Sequence, residues 1–308
     1  MDDLKLMVTL WPNFPHFPLF VNDERISGIR LNSAMIETAD LDAELAIIDS
    51  LAVTTPLYYD VKGMQVRVEE VIEKPDHLEL ILNHRISVAT PQPVLLKGGT
   101  DSVWLIELAD DGKRLIFDQG PLMEVRKGES LHIRHPSYIV HGPAFTNFEL
   151  EKIEKAKKAG FKKYFLSYTK NQRYVDEFLE IVGSDCEVWL KIEDREGLCY
   201  VAHEFQKKDN LTLVAACGDL YVELKRPHQI MDALKLIVDK DSEACAGSRM
   251  LLSLVTEEVP SLADFLQLAW LYDKGYRNMM LCDELCLKED LLLNAVNVFE
   301  AFRQNYAE

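Results

Sequence analysis

Strand-like apolar runs alternate with helix-like patterns along most of this chain, and that alternation limits the possible folds more than any other feature. Three predicted strands near the start occupy residues 6–10, 28–32 and 57–60. Five more, each followed by a stretch with helical spacing, occupy residues 163–167, 187–192, 211–216, 244–251 and 278–281. Eight strands that are each followed by a helix or its remnant predict an α/β fold, the (β/α)8 or TIM barrel.

An open, doubly wound parallel sheet is the alternative arrangement of such strands and helices. That sheet requires a glycine-rich turn after its first strand, whereas the first strand here runs into the segment LWPNFPHF at residues 10–17. Residues 63–142 have a different texture, because alternating runs such as HLELIL and SVWLIEL are separated by turn sequences such as KGG and DDGK. We therefore predict a barrel of residues 1–62 and 143–308, with a small β-rich domain at 63–142 inserted after the third strand.

The acidic balance of the chain disfavours several classes of partner. Its 308 residues carry a formal net charge of −17, which opposes binding to nucleic-acid phosphates and to anionic membrane surfaces. The acidic start at Asp2 and Asp3 is unlike a signal peptide, and no apolar run reaches the length of a membrane span. Six cysteines without a CxxC pair indicate reduced thiols, so a soluble, cytoplasmic protein without nucleic-acid or membrane partners is predicted.

Charged and polar residues stand where several of the predicted strands end. Because the carboxyl ends of barrel strands converge on one face, these residues are expected on a single rim. The expected rim consists of Arg30, Asn32, Asp60, Lys62, Arg67, Lys191, Glu193, Asp219, Ser248 and Glu284. A carboxylate is seldom buried without a partner, so the two interpretations are a binding site and a set of salt-bridged strand ends.

Part of this rim suits a divalent metal bound together with an anion. Glu193 and Asp219 leave adjacent strands and can supply the two carboxylates that Mg²⁺ typically takes from a protein; Mn²⁺ would serve similarly. Lys191 is two residues from Glu193, so both point to the same side of the strand. With Arg30 and Arg67 for phosphate or carboxylate oxygens, the rim could stabilise a transferring phosphoryl group or an enolate.

Six motifs follow one another along the chain at residues 6–12, 28–33, 59–67, 191–197, 214–224 and 247–254, and in this order they resemble motifs of the pyruvate kinase family. Residues 6–12 (LMVTLWP) are similar to its opening T-x-G-P strand, with Trp11 in place of the glycine, and residues 28–33 (GIRLNS) are similar to RLNFSHG. The other four are YDVKGMQVR (59–67, like DTKGPEIR), KIEDREG (191–197, like KIEN-x-x-G), VAACGDLYVEL (214–224, like VARGDLGVEI) and GSRMLLSL (247–254, like ATQMLESM). The β-rich insertion lies where that family carries its mobile B domain.

This resemblance implies a barrel of the phosphoenolpyruvate/pyruvate type that uses phosphoenolpyruvate, or a related molecule, with a divalent metal on Glu193 and Asp219. Lys191 would stabilise the phosphoryl group and the enolate, Arg30 would contact the phosphate, and Arg67 would lie on the side of ADP or another nucleotide. Assembly as a homo-oligomer through the barrel is also expected.

The resemblance implies supporting roles for several smaller contacts. Ser248 would provide the active-site hydroxyl, although an alternative register puts Ser253 there, and Gly218 would offer its backbone N–H to the substrate carboxylate. Asn32 and Lys62 would join the substrate-binding set. A monovalent cation such as K⁺ would be held by Asn32, Ser33 and Asp60.

Several positions depart from the family pattern. Cys217 replaces an arginine, Tyr221 replaces a glycine, and Val61 replaces a threonine of the cation site. The nucleotide surroundings are altered at residues 33–35 and 64–65, and the family's C-terminal regulatory domain is expected to be absent after residue 308. The inserted lysine that closes over the metal in the family has three candidates: Lys97, Lys113 and Lys127.

Three functions are therefore compatible with the sequence. The first is a phosphotransferase of the pyruvate kinase type that acts on phosphoenolpyruvate or a related phosphorylated enol or 2-keto acid. The second is a metal-dependent pyruvate aldolase or lyase, which would release pyruvate from a 2-keto-4-hydroxy acid without a nucleotide. The third is a catalytically inactive binding protein that retains the barrel and its metal site.

Overall fold

A closed barrel of eight parallel strands forms the centre of the molecule, in a computed structural model that describes residues 4–35 and 38–307. The eighth strand pairs with the first, so that Leu6 lies opposite Met279 and the sheet has no edge. The barrel strands are Lys5–Thr9, Gly28–Asn32, Leu57–Val61, Lys163–Leu166, Glu187–Ile192, Leu211–Ala216, Cys245–Gly247 and Asn278–Met280. The predicted α/β barrel is confirmed.

Helices connect the barrel strands and pack against the outside of the sheet, where buried aliphatic and aromatic side chains form a continuous core. The α-helices are Phe17–Phe20, Thr38–Ser50, Asn147–Lys158, Gln172–Val182, Arg195–His203, Cys217–Glu223, Ile230–Lys240, Leu262–Asp273, Asp283–Cys286 and Glu289–Asn305. Short 3₁₀ turns occupy Ser33–Met35, Lys97–Gly99, Asp110–Gly112, Pro227–Gln229 and Leu252–Val255.

The seventh strand is shorter than the predicted range of 244–251, because it ends at Gly247. Ser248, Arg249 and Leu251 have φ angles of 65°, 62° and 55°. These left-handed conformations are unfavourable for residues with a Cβ atom and cannot continue a strand. The apolar run at residues 250–255 is therefore a turn at the barrel mouth.

A separate five-stranded antiparallel sheet follows the third barrel strand. In spatial order its strands are Val68–Glu73, Leu78–Leu82, Arg114–Phe117, Asp101–Ala109 and Gln92–Leu96. The two strands Arg85–Ser87 and Ile139–His141 pair beside it, and the whole insertion has its own buried apolar cluster. This sheet agrees with the predicted β-rich insertion; the limits at residues 63 and 142 remain a prediction.

The chain leaves the barrel for the insertion through Gly63, which only a glycine can occupy without rearrangement. Its φ of 50° is left-handed, and a Cβ atom there would lie 1.7 Å from the Tyr174 hydroxyl oxygen. The backbone N–H groups of Lys62 and Gly63 both donate to the carboxylate of Glu149. Burial raises the pKa of Glu149, although these donors and the charge of Lys62 oppose that effect.

Three sequence predictions, on a signal peptide, a membrane span and the cysteines, do not concern the fold. Asp2 and Asp3, on which the prediction of no signal peptide depends, lie outside the described residues. Within the described ranges, no helix combines the length and the apolar character needed to cross a bilayer. All six cysteines are free thiols, and only Cys199 among them is exposed.

Aromatic and apolar side chains fill the half of the barrel nearest the amino ends of its strands. The rings of Tyr58, Phe165 and Trp189 pack together with centroid separations of 5.5, 5.0 and 5.3 Å. This barrel floor is completed by Met7, Val214, Cys245 and Met280. On several of these strands the inward-facing residue two positions later is polar, as at Asp60, Ser167 and Lys191, and these residues lie toward the opposite mouth.

We expect Trp189→Ala to lower the free energy of unfolding by about 3–5 kcal/mol, since it removes a buried indole from the barrel floor. Urea denaturation followed by circular dichroism measures this loss. Trp104→Ala is the matched control, because the Trp104 side chain in the insertion is 49% exposed. Equal losses for the two variants would contradict a packed floor around Trp189.

Candidate active site

The inward-facing positions of the third and fifth barrel strands change from aromatic to charged toward the barrel mouth. In the third strand, Asp60 and Lys62 follow Tyr58 of the floor at intervals of two residues. In the fifth strand, Lys191 and Glu193 follow Trp189 of the floor at the same intervals. Side chains two residues apart share one face of a strand, so each strand places two charged groups in the mouth.

Asp60 lies at the centre of this cluster and is fully buried. Its Oδ2 atom is 2.7 Å from Arg30 Nε and 2.7 Å from Lys62 Nζ. The Ser167 hydroxyl donates to Oδ1 at 3.2 Å, and Lys191 Nζ stands 3.8 Å from Oδ2. One carboxylate therefore connects side chains from the second, third, fourth and fifth strands.

The protonation states of this cluster follow from burial and from the neighbouring charges. Burial alone would raise the pKa of Asp60, but Lys191, Lys62 and Arg30 hold it well below its usual range. Burial lowers the pKa of Lys62 to about 7, because the attraction of Asp60 only partly offsets it and the other cations add to it. The pKa of Lys191 is raised, since Asp60 and Glu193 outweigh the effect of burial.

Lys191 is held as a buried ammonium between two carboxylates. Its Nζ atom lies 2.8 Å from Glu193 Oε1 and donates to the Ser167 hydroxyl at 3.0 Å. Only 7% of the side chain is exposed. The ammonium is therefore pre-positioned at the mouth, where a negatively charged group entering the barrel would meet it.

Glu193 and Asp219 supply the carboxylates that were predicted to hold a divalent metal. Glu193 is fully buried, and its Oε2 atom accepts a hydrogen bond from Tyr168 N at 2.6 Å. Burial raises the pKa of Glu193; Lys191 opposes this and the charge of Asp219 adds to it, so the two carboxylates lie within each other's field. The Asp219 side chain is 31% exposed, which leaves access for water and substrate.

These donors fit Mg²⁺ or Mn²⁺, which typically take one or two carboxylates from protein and the remaining ligands from water and substrate. Across residues 4–35 and 38–307, no group of three or more His, Cys, Asp or Glu side chains is placed to hold a metal ion. An ion on Glu193 and Asp219 would therefore take its other ligands from water and substrate.

The balance of charge at the mouth also favours a cation. The cationic groups are Arg30, Lys62 and Lys191. The carboxylates around them are Asp60, Glu193, Asp219 and Asp283. Because the pKa of Lys62 is lowered to about 7, these basic groups do not fully offset the carboxylates, and a divalent cation would add positive charge that favours an anionic substrate.

The two arginines predicted to bind the anion are already engaged by protein groups. Arg30 pairs with Asp60, donates to Thr9 Oγ1 at 3.2 Å and stands 3.7 Å from Asp283 Oδ2. Arg67 donates to Gln65 Oε1 at 2.9 and 2.6 Å and to the carbonyl oxygen of Gly128. Both lie near the site, since the charges of Arg30 and Arg67 contribute to lowering the pKa of Lys62.

The loop after the seventh strand places Ser248, rather than Ser253, at the mouth. Ser248 Oγ accepts a hydrogen bond from Gly218 N at 2.9 Å, so these two predicted site residues contact each other. Ser253 instead donates to Asp264 Oδ2 at 2.5 Å and accepts from Ser261 N, at the start of helix Leu262–Asp273. The alternative register is therefore not adopted.

The residues predicted to bind a monovalent cation do not fit one. Both oxygens of Asp60 are engaged, and three cationic side chains surround it. The Asn32 amide donates to Asp283 Oδ2 at 3.0 Å, and the Ser33 carbonyl oxygen accepts from Lys152 Nζ at 2.8 Å. A further positive charge would be repelled from this position.

The insertion contributes a histidine to the site, and two of the three candidate lysines are paired elsewhere. Lys97 pairs with Glu129, and Lys113 pairs with Glu69 and donates to a backbone oxygen. The ring of His132 is buried and lies 2.6 Å from Glu223 Oε1 and 3.7 Å from Asp219 Oδ1. Burial lowers the pKa of His132, but the hydrogen bond with Glu223 and the nearby charges, first that of Asp219, raise it overall.

Comparison with known proteins gives a distant relative, whereas no family model matches the chain. It is 24% identical over 301 residues to a pyruvate kinase of Methanocaldococcus jannaschii, an alignment that covers 92% of this chain. The chain spans 65% of the length of that relative. The match supports a distant pyruvate-kinase-like relationship and does not point to a particular member of that family.

The structure brings most of the predicted rim together and corrects one member of it. Glu284 is exposed, whereas the adjacent Asp283 faces Arg30 and Asn32. Ser167, Asp283 and His132 were missed by the sequence analysis. Ser167 could have been found from its position, because it ends the fourth predicted strand in the same way that Asp60 ends the third.

We expect Asp60→Asn to destabilise the fold by about 3–5 kcal/mol, because it leaves the buried cations around it without their counter-charge. Urea denaturation would measure the change. Asp111→Asn is the control, since Asp111 pairs with Arg85 on the surface and 81% of its side chain is exposed. A stability of Asp60→Asn equal to that of the control would contradict the central role of this carboxylate.

Proposed function

We propose that this protein is a phosphotransferase of the pyruvate kinase type that acts on phosphoenolpyruvate, or a related phosphorylated enol or 2-keto acid, with a divalent metal. The observation that carries the proposal is the buried Lys191 ammonium, 2.8 Å from Glu193 and beside Asp60 at the barrel mouth. Its segment matches the pyruvate kinase motif, and the distant relative named above is a pyruvate kinase.

In this proposal Glu193 and Asp219 would hold the divalent ion, which would supply positive charge to offset negative charge on the substrate. Lys191 supplies a fixed positive charge where the phosphoryl group leaves and where the enolate oxygen develops. A pre-positioned charge in a site shielded from water stabilises such a transition state without reorganisation. Ser248 and Gly218 N–H lie together at the ends of the seventh and sixth strands, next to the strand of Lys191, where they can orient the substrate.

A cavity between the insertion and the barrel supports an acceptor site. Its volume is about 470 Å³, within the range of small-molecule pockets. Tyr168 and Glu223 line it, and each contacts the metal site, through Glu193 and His132 respectively. Arg134 and Lys170 also line it, although Lys170 pairs there with Asp194 at 3.3 Å and Glu196 at 3.1 Å.

One observation favours the alternative of a catalytically inactive binding protein. Arg67, proposed for the nucleotide side, has its guanidinium engaged by Gln65 and Gly128. A barrel that binds phosphoenolpyruvate with Mg²⁺ but does not turn it over would have this appearance. A pyruvate lyase has no comparable support, and release of pyruvate from a 2-keto-4-hydroxy acid without a nucleotide would reveal it.

The decisive test is consumption of phosphoenolpyruvate across the nucleoside diphosphates, with Mg²⁺ or Mn²⁺, followed by pyruvate formation. We expect Lys191→Met to reduce the rate by at least about 10²–10³-fold, because it removes a charge aimed at the transition state. The matched control is Lys163→Met, since Lys163 lies at the amino end of the neighbouring strand and pairs with Glu187.

We expect the wild type to turn over phosphoenolpyruvate, Lys191→Met to abolish this turnover, and Lys163→Met to preserve it. Full activity in Lys191→Met would overturn the assignment. Binding of phosphoenolpyruvate and Mg²⁺ by calorimetry without turnover, under any acceptor tested, would establish the inactive alternative instead.

The crowded surroundings of Asp60 also predict that turnover does not depend on K⁺. The positive charges of Arg30, Lys62 and Lys191 already compensate this carboxylate, so an added monovalent cation has no site there. Rates measured in KCl and in tetramethylammonium chloride at equal ionic strength should therefore agree. A strong activation by K⁺ alone would contradict this account of the site.

A further inference from the structure

Tyr168 differs from the other buried tyrosines in where its side chain lies. Only 8% of the residue is exposed, yet it belongs to none of the apolar clusters formed by the described residues. It borders the cavity of about 470 Å³ between the insertion and the barrel. The side chain is therefore packed against protein on one side and faces open space on the other.

The backbone at Tyr168 turns the side chain toward this cavity. Side chains alternate along a strand, and the fourth strand sends Leu166 outward beneath the helices while Ser167 points into the barrel. A continued strand would send Tyr168 outward as well, but its φ of 49° is left-handed and ends the strand. Tyr168 N donates to Glu193 Oε2 at 2.6 Å and so holds this turn. A strained conformation of this kind at a bulky residue is typical of functional sites.

The hydroxyl of Tyr168 has no hydrogen-bond partner within the described parts of the chain. Tyr59 Oη is also unpaired but is enclosed by protein, whereas Tyr168 Oη is not enclosed. A phenol at neutral pH is a hydrogen-bond donor, so Tyr168 offers the cavity a donor that the protein leaves unused. Other buried tyrosines spend their hydroxyls on protein oxygens, namely Tyr58, Tyr164, Tyr174, Tyr200 and Tyr276.

Tyr168 lies within the field of the carboxylates at the proposed metal position. Burial raises the pKa of Tyr168 well above its ordinary value, and the charges of Asp219, Glu223 and Glu193 add to this. Cys199 lines the same cavity and is exposed. The cavity therefore runs from an accessible rim at Cys199 to an inner end at Tyr168, next to the metal carboxylates.

We infer that the Tyr168 hydroxyl is a substrate contact, which donates a hydrogen bond to an oxygen of the acceptor at the inner end of this cavity. The inference rests on the proposed function, because it takes the ligand of the cavity to be the phosphoryl acceptor. Such an acceptor presents a phosphate or hydroxyl oxygen at the end that receives the phosphoryl group. That end must lie nearest to Lys191 and the metal carboxylates.

This contact makes Tyr168 a specificity-determining residue. An acceptor with an oxygen at its inner end satisfies the hydroxyl, whereas an apolar end would leave the hydroxyl covered and unpaired. A site built to hydrogen-bond an oxygen rejects a molecule that lacks it more strongly than shape alone would allow.

Cys199 provides a reporter for the cavity, since it is the exposed one of the six cysteines. The test measures how fast an aromatic disulfide reagent modifies this thiol in the full chain, with Mg²⁺ and with ADP, GDP or inorganic phosphate as probes. Cys199→Ser identifies its share of the signal. We expect bound probe to slow the modification, and Tyr168→Phe to raise the protecting concentration about 5- to 10-fold, because it removes one hydrogen bond and keeps the ring.

Tyr59→Phe is the matched control, because it removes an enclosed hydroxyl that has no partner. It should protect at the same probe concentration as the wild type. In the turnover assay, Tyr168→Phe should raise KM for the acceptor about 10-fold and leave KM for phosphoenolpyruvate unchanged.

The outcomes separate this inference from the proposed function. Equal protecting concentrations for wild type and Tyr168→Phe, or no protection by any of the probes, would overturn the inference and leave the phosphotransferase assignment to the Lys191 variant. Protection that depends on the Tyr168 hydroxyl, without turnover of phosphoenolpyruvate, would overturn the proposed function and support the ligand contact.

Discussion

The buried carboxylate of Asp60 is the interaction on which the barrel mouth depends. A carboxylate with no exposure must be paired and hydrogen-bonded, and here the partners are Arg30, Lys62 and Ser167, with Lys191 beside them. Because these partners come from neighbouring strands, the charge network also fixes the strands relative to each other at the mouth. The site is therefore organised before any ligand arrives.

That organisation decides which groups are free to act. Arg30 is committed to Asp60 and Asp283, so its role is closer to holding the network than to binding an anion. Asp219 is far more accessible than Asp60 or Glu193, with 31% of its side chain exposed. A divalent ion at Asp219 and Glu193, as proposed above, would add positive charge to the mouth and so favour the binding of an anion.

The sequence was sufficient to predict the barrel, the separate sheet after its third strand, and the position of Lys191 beside Glu193. The spacing of apolar residues and the residues at strand ends determine these features locally. It was insufficient where a partner comes from far along the chain. The segment SLHIR reads only as an alternating strand, and nothing in it signals that His132 meets Asp219, 87 residues away. The run after Gly247 was misread as strand because left-handed φ angles leave no apolar or polar signature.

The two substitutions that depart most from the pyruvate kinase pattern have a structural explanation in the same neighbourhood. Cys217 is buried, and burial raises the pKa of its thiol to about 12, so it serves as packing. Tyr221 turns outward, and the Arg249 guanidinium lies 5.3 Å from its ring centroid. A Cβ atom on Gly218 would be 3.6 Å from Arg249 Nε, so a guanidinium lies beside Gly218. This is the case although the chain has Cys217 where the pyruvate kinase pattern has an arginine. Arg249 also donates to the carbonyl oxygen of Gly98 in the insertion, so the position of this guanidinium depends on the docked insertion. This side of the site and the insertion are therefore structurally connected.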